Sequence, residues 1–431
     1  MSVTLLIGNG LNRSISNAIS WEHVLSETAQ ELGLEMTELN SLLGKQQPTF
    51  YFEHLMNQAN EKIRLSSARR NIPKKESGNG TKIREDDDYL ELKRLCCNIL
   101  KNVVPNVGKI HGQFSSLPGV RDIMTTNYDY RLEESLNENF SYNSKDFAQK
   151  NEDGARVSKN DKYSTSQKFS YTVGGKQVWH IHGEIEYPRT VCLGFGHYIG
   201  TIKKLKDILD INVLTEYLAC NCDVLKTKER LIASNPEEKK NSSSFDSIGK
   251  DVETLHSCWA TKFFTDDIYI VGLGLDYCEL DIWWVLQWRA YLKNFNDDFK
   301  SLITNEIVYY HIENPHAIGI AERALKKTTS KLKREQPESR LLTSEGSLLT
   351  TDAMTTAEVE FIEARDALVS AKAVPLENSA KAALLKSFDV KGIPHDLIDK
   401  NETYGAAYLK IKDYISNDIL EKSRSSHRRT L

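Results

Sequence analysis

Short apolar runs recur along the chain and predict the strands of a buried sheet. They are 3–7 (VTLLI), the pair 123–124, 268–271 (IYIV) and 306–312 (EIVYYHI). Nearly continuous apolar runs of this length are typical of strands that are covered on both faces of a parallel sheet. The first run stands almost at the start of the sequence, and we expect it to be a central strand.

Glycine or small polar residues follow three of these strands. Gly8 and Gly10 follow the first, Thr126 and Asn127 the second, and Gly272 and Gly274 the third. In an open α/β sheet, ligands bind outside the carboxyl ends of the strands, where glycines let the backbone approach them. Each turn alone is equally well explained as a strand-to-helix turn, and Asp129 as a helix cap. The three together favour a nucleotide crevice, although Arg13 stands where a GxGxxG motif needs its last glycine.

The remaining pattern predicts helices, a hairpin and polar loops. Helical periodicity covers 18–65, 89–104, 107–117, 203–231, 252–264, 317–333, 356–371, 380–387 and 404–419. Strands are predicted at 168–171 and 177–181 around Gly174-Gly175, and at 390–395. Solvated loops are predicted at 66–88 and 235–247, a glycine-rich turn at 193–200, and a disordered basic tail after 419. We therefore predict an α/β fold with a Rossmann-like parallel sheet, flanked by helices and carrying helical insertions.

The length of 431 residues allows one large domain with insertions or two domains. We predict a main domain at 1–315, with helical insertions at about 30–110 and 200–260. An insertion of helices and flexible loop follows at 316–376, the segment 377–419 completes the main domain, and 420–431 is a basic tail.

Composition excludes several classes of protein. The formal net charge of −4 gives no field that favours nucleic acid, and no run of about 18 apolar residues predicts a membrane span. The start of the sequence lacks the features of a secretory signal. The seven cysteines are scattered without a CxxC pair, which argues against a zinc ribbon and favours the cytoplasm.

Two histidines stand at alternate positions at the end of the strand 177–181. His180 and His182 would share one face of that strand. They could bind a metal, but no third ligand type is spaced nearby, so no metal is expected. A general base fits His182 beside Gly183 better, while a purely structural, hydrogen-bonded histidine stays an alternative. The acidic run 86–88 fits the start of a helix better than a metal site, and the roles of His180 and His197 stay open.

With these residues in place, the chain resembles the sirtuin-like NAD-consuming proteins, and within them the bacterial antiphage-defence branch. Four motifs carry the resemblance in the order of the family: the turn 8–12, TTNYD at 125–129, His182-Gly183, and VGLGLDYCELD at 271–281. It spans about 3–312 and, we expect, 379–415.

The resemblance implies a role for each matching residue. Asn127 would hold the catalytic amide and His182 the catalytic imidazole. The other cofactor-binding residues would line the phosphates and ribose (Gly8, Asn9, Gly10, Asn12), extend the contacts beside Asn127 (Thr126, Asp129) and hold the adenosine side (Gly272, Gly274, Asp276).

Three departures separate the chain from the sirtuin deacylases. The first turn has Asn9 and Asn12 where they have GAGxS, Thr126 and Tyr128 replace their Gln and Ile, and their zinc ribbon is missing. Because the ribbon helps to shape the acyl-lysine cleft in that family, its loss argues against protein deacylation. It leaves NAD cleavage untouched.

The resemblance implies an NAD hydrolase that releases nicotinamide and ADP-ribose and serves an antiphage system by depleting NAD. Asn127 would fix the ribose and a water, and His182, with an ordinary pKa near ~6.5, would act as base. Alternatives are an NAD-dependent deacylase, a non-catalytic ADP-ribose-binding subunit of a defence complex and, on the thin support of 85–88, a nuclease. We expect a homo-oligomer and a separate activating partner, such as a HerA-type ATPase or another sensor, and no direct contact with nucleic acid or membrane.

Overall fold

The structure is a computed structural model of the 431-residue chain. It describes residues 2–15, 21–34, 48–69, 85–103, 106–137, 140, 170–234, 242–276, 278–295, 297–313, 325–331, 380–396 and 404–429.

A seven-stranded sheet forms the centre of the molecule. Its strands are β1 (Ser2–Ile7), β2 (Val120–Thr125), β3 (Ser170–Val173), β4 (Lys176–His180), β5 (Asp266–Val271), β6 (Ile307–Glu313) and β7 (Lys391–Asp396). They lie in the order β3-β4-β2-β1-β5-β6-β7, and every neighbouring pair is parallel except the β3–β4 hairpin. β1 is therefore the central strand, as its apolar run predicted.

The strand order identifies the type of sheet. Counted without the hairpin strand β3, the parallel strands lie in the order 3-2-1-4-5-6, which is the order of the Rossmann fold. The order reverses between β1 and β5, and such a reversal is where open α/β sheets bind their ligands. The predicted fold class, a Rossmann-like sheet flanked by helices, is confirmed.

Helices cover the sheet. They are α1 (Gly10–Arg13), α2 (Trp21–Glu31), α3 (Pro48–Arg69), α4 (Glu85–Val103), α5 (Lys109–Ser115), α6 (Arg131–Leu136), α7 (Phe195–Ile208), α8 (Ile211–Ala219), α9 (Val224–Ser234), α10 (Ser242–His256), α11 (Lys262–Thr265), α12 (Leu280–Phe295), α13 (Asp297–Leu302), α14 (Ala380–Ser387) and α15 (Tyr404–Arg429). Residues 325–331 are also helical, and 3₁₀ turns occur at Pro188–Thr190 and Trp259–Thr261.

Both faces of the sheet are buried, which explains the continuous apolar runs. Leu6 and Met124 pack on one face, in a core with helices α7 to α14, while Leu5 and Ile123 pack on the other face with α5, α6 and α15. A third core joins α2, α3 and α4 to the hairpin β3–β4. None of the described helices combines the length and the apolar character that crossing a bilayer requires.

Several predicted boundaries were wrong. The glycine-rich stretch 193–200 is not a turn, because α7 begins at Phe195 and runs through it. Its start is fixed by His197, whose Nδ1 accepts the backbone N–H of Gly194 at 3.0 Å. This contact gives His197 a structural role.

The predicted loops are shorter than expected, and the predicted tail is helical. Helix α3 continues to Arg69, α4 begins at Glu85 and α10 begins at Ser242, while the rest of both predicted loops, 70–84 and 235–241, lies outside the described residues. Helix α15 continues past 419 to Arg429. Lys422 anchors this extension because its Nζ donates to Asp267 at 3.1 Å and to Glu306 at 2.8 Å.

Other predictions fall partly outside the described residues. The insertion predicted at 316–376 is described only at 325–331. β7 lies in the predicted completion segment and is the outer strand of the same sheet.

Candidate functional site

Asn127 and His182 follow neighbouring strands at matching positions. In the parallel pairing of β2 with β4, Thr125 lies opposite His180, and each candidate residue stands two positions further along. The pairing continues beyond the strands, because Ile181 N donates to Thr125 O at 3.0 Å and Ile185 N donates to Tyr128 O at 2.9 Å. The two side chains predicted to act together therefore lie on adjacent loops at one edge of the sheet.

The backbone of Asn127 is held from both sides. Its N–H donates to Thr125 Oγ1 at 3.0 Å, and its carbonyl accepts from His180 Nδ1 at 3.0 Å. The residue is only 7% exposed, and within the described part of the chain its carboxamide has no hydrogen-bond partner. A carboxamide without a partner in the protein can donate to and accept from a bound molecule, so this group is suited to binding a ligand.

His180 belongs to a fully buried polar cluster. Its Nε2 faces Glu133 Oε1 at 2.6 Å, and nearby Glu184 accepts hydrogen bonds from the hydroxyls of Tyr130 and Tyr171. Burial opposes the charged ring, but the carboxylate of Glu133 outweighs it and raises the pKa of His180 to about 9. His180 is thus a structural residue that holds the carbonyl of Asn127 in place.

His182 lies between two other carboxylates. Its Nε2 is 3.1 Å from Asp281 Oδ1, its Nδ1 is 3.4 Å from Glu279 Oε2, and its ring meets Tyr198 edge-on at 5.3 Å. Burial disfavours the charged ring, but Asp281 and Glu279 together raise the pKa of His182 to about 9. The two histidines, predicted to share a face, therefore contact different groups.

Glu279 is an unusual carboxyl group. Burial, with Asp281 and Asp276 adding to it and His182 opposing it, raises the pKa of Glu279 to about 7. Glu279 Oε2 and Asp281 Oδ2 are buried and have no hydrogen-bond partner among the described residues. Asp281 Oδ1 also accepts the N–H of Ile282 at 2.9 Å, at the start of helix α12.

The path of the chain explains how these carboxylates reach His182. Glu279 and Asp281 follow β5, and strands β1 and β2 lie between β5 and β4 in the sheet. Their contacts with His182 therefore place Glu279 and Asp281 at the carboxyl edge of the sheet, across β1 and β2 from β5, and Asn127 lies at the same edge. Glu279 then lines a small cavity with Thr49, Cys192 and Tyr198.

The glycines after β1 and β5 pack against each other. Gly10 N donates to Gly272 O at 2.7 Å, and Gly8 N donates to Val271 O at 3.0 Å. A Cβ on Gly8 would lie 2.5 Å from the Cα of Leu273, and Gly272 has a φ of +66°. This contact between turns requires glycine, and it already uses two of the N–H groups that we expected to face phosphates.

The polar residues beside these glycines bind one another. Asn12 Nδ2 donates to Asp129 Oδ2 at 2.8 Å and to Asn9 Oδ1 at 3.2 Å, while Asn12 Oδ1 faces His111 Nε2 at 2.8 Å. Asp129 Oδ1 accepts the N–H of Arg131 at 3.0 Å in the turn before α6, but the N-cap of this helix is Tyr130, so Asp129 is not the helix cap of the alternative prediction. This network ties the loop after β1 to the loop after β2.

The remaining predicted residues lie at the same edge of the sheet. Thr126 N donates to Ile7 O at 3.2 Å, and Gly274 O accepts from Lys381 Nζ at 2.6 Å. The side chain of Asp276 is 70% exposed, 3.8 Å from the same Lys381 Nζ. The binding roles of all these residues stay predictions.

His182, Glu279 and Asp281 also have donor atoms within 4.8 Å of one another, a spacing that a cation could bridge. However, Asp281 faces Nε2 of His182 and Glu279 faces Nδ1. A metal ion bound to His182 would occupy one ring nitrogen, and both carboxylates would have to lie beside that same nitrogen. The geometry fits a charged imidazole ring better than a metal ion. The absence of a metal stays a prediction.

Sequence reasoning missed the acidic partners of both histidines. Glu279 and Asp281 belong to the motif VGLGLDYCELD at 271–281. Asp281 stands in the first turn of the helix that follows β5, where acidic residues are favoured, and this position could have identified it from the sequence. Glu133 and His111 had no such signal, because only the fold brings them to the site.

Comparison with known proteins gives no family. The chain matches no protein-family model, and no curated protein is significantly similar to it. The function must therefore be argued from the residues of the site.

Proposed function

We propose that the chain is an NAD glycohydrolase, which cleaves the bond between nicotinamide and ribose to give nicotinamide and ADP-ribose. The observation that carries the proposal is that Asn127, whose carboxamide has no hydrogen-bond partner among the described residues, and His182 lie on adjacent loops at the ligand-binding edge of a Rossmann-like sheet. The four motifs that resemble those of the sirtuin-like proteins are the reason for proposing NAD as the substrate.

The charges of the site suit this reaction. NAD carries a positive nicotinamide ring, and its cleavage develops positive charge on the ribose. Two carboxylates, Asp281 and Glu279, face one imidazole, so the group has an excess of negative charge once both are ionised. Negative charge arranged in advance beside a developing cation stabilises the transition state.

The free amide of Asn127 can both donate and accept a hydrogen bond. In the proposed reaction it orients the ribose and the attacking water. The networks through His180 and Thr125 keep its backbone from moving as it does so.

The direct test is release of nicotinamide from NAD by the purified chain, alone and together with the proteins that co-purify with it. Asn127→Ala and His182→Ala should each lower the rate by roughly 10²-fold or more, as loss of a positioned polar group does. Asn212→Ala and His23→Ala are matched controls, since both residues are exposed and lie outside the site.

The outcomes separate this proposal from its alternatives. Activity that survives in both site variants rejects the site. Nicotinamide release that requires an acyl-lysine peptide identifies a deacylase, and tight binding of ADP-ribose without turnover identifies a non-catalytic subunit.

The resemblance also leads us to propose the setting, an antiphage effector that works as a homo-oligomer with a separate sensor. The wild type and the Asn127→Ala variant test this setting. After phage infection, the NAD concentration should fall in bacteria that express the wild type and not in those that express Asn127→Ala. Unchanged NAD despite activity in vitro rejects the setting alone.

A further inference from the structure

The geometry around His182 points to a different proton acceptor. Both nitrogens of its ring face carboxylates, Nε2 at 3.1 Å from Asp281 and Nδ1 at 3.4 Å from Glu279. A histidine that acts as a base must present an unprotonated nitrogen to the group it deprotonates. Among the described residues, the recorded partners of both His182 nitrogens are carboxylates.

Glu279 is the most exposed member of this group. Its side chain is 17% exposed, whereas those of His182 and Asp281 are 2% and 0% exposed. It lines the small cavity beside Tyr198 and Cys192. Its contact with His182 places it at the carboxyl edge of the sheet, where Asn127 also lies.

We propose that Glu279 is a catalytic residue whose carboxylate accepts the proton of the attacking water, while Asp281 orients His182 and the ring of His182 faces and positions that carboxylate. This inference rests on the proposed cleavage of NAD. Asp281 and His182 are then positioning residues.

The step balances. The bond between ribose C1′ and the ring nitrogen breaks, and its electron pair goes to the nitrogen, so nicotinamide leaves neutral. The oxygen of water bonds to C1′, and one of its protons passes to the carboxylate of Glu279 and then to solvent. The products are nicotinamide, ADP-ribose and one proton.

The dependence of the rate on pH separates the two possible bases. Ionisation of Glu279 near its pKa of about 7 should switch activity on, and loss of the His182 proton near about 9 should switch it off. If His182 were the base, the rate would instead rise through about pH 9. The titratable groups that face Glu279 are His182, Asp281, Asp276, Tyr128, Tyr198, Cys192 and Cys278.

The decisive variant is Glu279→Gln, which keeps the shape of the side chain. We expect kcat to fall roughly 10²-fold or more with little change in KM, and the rise in rate near pH 7 to disappear. Formate should partly restore the rate of Glu279→Ala, because a small carboxylate can replace the lost base. Glu253→Gln, at a side chain that is 63% exposed on α10, is the matched control, and thermal melting checks that each variant is folded.

Each contrary outcome has a distinct meaning. An active wild type with an unimpaired Glu279→Gln, or a rate that rises through pH 9, overturns this inference and leaves the proposed function standing. Activity that EDTA removes and Mn²⁺ restores, together with loss of Mn²⁺ binding in Glu279→Gln, also overturns it, because the carboxylates then bind a metal. A wild type that releases no nicotinamide rejects both proposals.

Discussion

His180 and His182 are two residues apart, yet their rings face different parts of the fold. His180 faces Glu133 on α6 and the carbonyl of Asn127, whereas His182 faces the segment after β5. The first contact fixes the backbone beside the site and the second sets the charge of the site. The structural and the proposed chemical role are thus divided between neighbouring histidines.

Removal of His180 should be strongly destabilising. In His180→Ala, Glu133 stays fully buried without its charged partner, and loss of one member of a buried ion pair costs about 3–5 kcal/mol. Urea unfolding measures this loss, and His23→Ala, at an exposed histidine, is the control. Equal unfolding midpoints for the two variants would show that the buried pair contributes nothing to stability.

The sequence was sufficient to predict the site residues that immediately follow strands. It was not sufficient to predict the site residues that are distant in sequence and are brought to the site by the fold. Asn127 and His182 stand at strand ends, which apolar runs reveal. Glu133 is 47 positions from His180, and Asp281 is 99 positions from His182. Contacts over such separations depend on the order of strands in the sheet, which one sequence does not reveal.

At the scale of elements, the turns after β1 and β5 form one packed unit. These strands are neighbours at the reversal of the strand order, and their turns touch through Gly8, Gly10 and Gly272. The turn after β5 then continues across the sheet to His182. The position of Glu279 and Asp281 therefore depends on close packing between glycines.

Adding one methyl group tests this packing. In Gly8→Ala the new Cβ would lie 2.5 Å from the Cα of Leu273, and because backbone cannot move aside cheaply we expect a loss of about 1–3 kcal/mol. Gly200→Ala is the matched control: Gly200 lies in α7 with nothing within 4 Å, so alanine should stabilise the chain by about 0.5–1 kcal/mol. Unfolding in urea measures both. Shifts of the same sign would contradict the proposed contact.

Element boundaries were predictable where burial is two-sided. The runs 3–7 and 268–271 lie within the strands Ser2–Ile7 and Asp266–Val271, because both faces of the sheet are covered and most positions of these strands are apolar. The stretch 193–200 failed because its glycines suggested a turn. Tyr198, Thr201 and Leu205 are buried at helical spacing in α7, and that tertiary burial outweighs the low helix propensity of glycine.

At the scale of the whole molecule, the overall composition does not reveal the charged residues of the site. A formal net charge of −4 gives no sign that two buried histidines carry raised pKa values at one edge of the sheet. The fold class followed from the alternation of strands and helices. The charge state of the site did not, because it depends on which carboxylates burial places beside each ring.

These histidines should make the free energy of unfolding depend on pH. The folded chain binds their protons more tightly than the unfolded chain, with pKa values of about 9 against an ordinary 6.5. Their contribution is therefore complete below about pH 6.5 and is lost as the pH rises through 9, by on the order of 1 kcal/mol or more per group. Above about pH 8 Lys93 opposes this loss, because burial lowers its pKa to about 8. Urea unfolding between pH 6.5 and 8 measures the effect, and the decline should become shallower in His182→Ala; a parallel decline in the variant would mean that His182 is not charged in the folded chain.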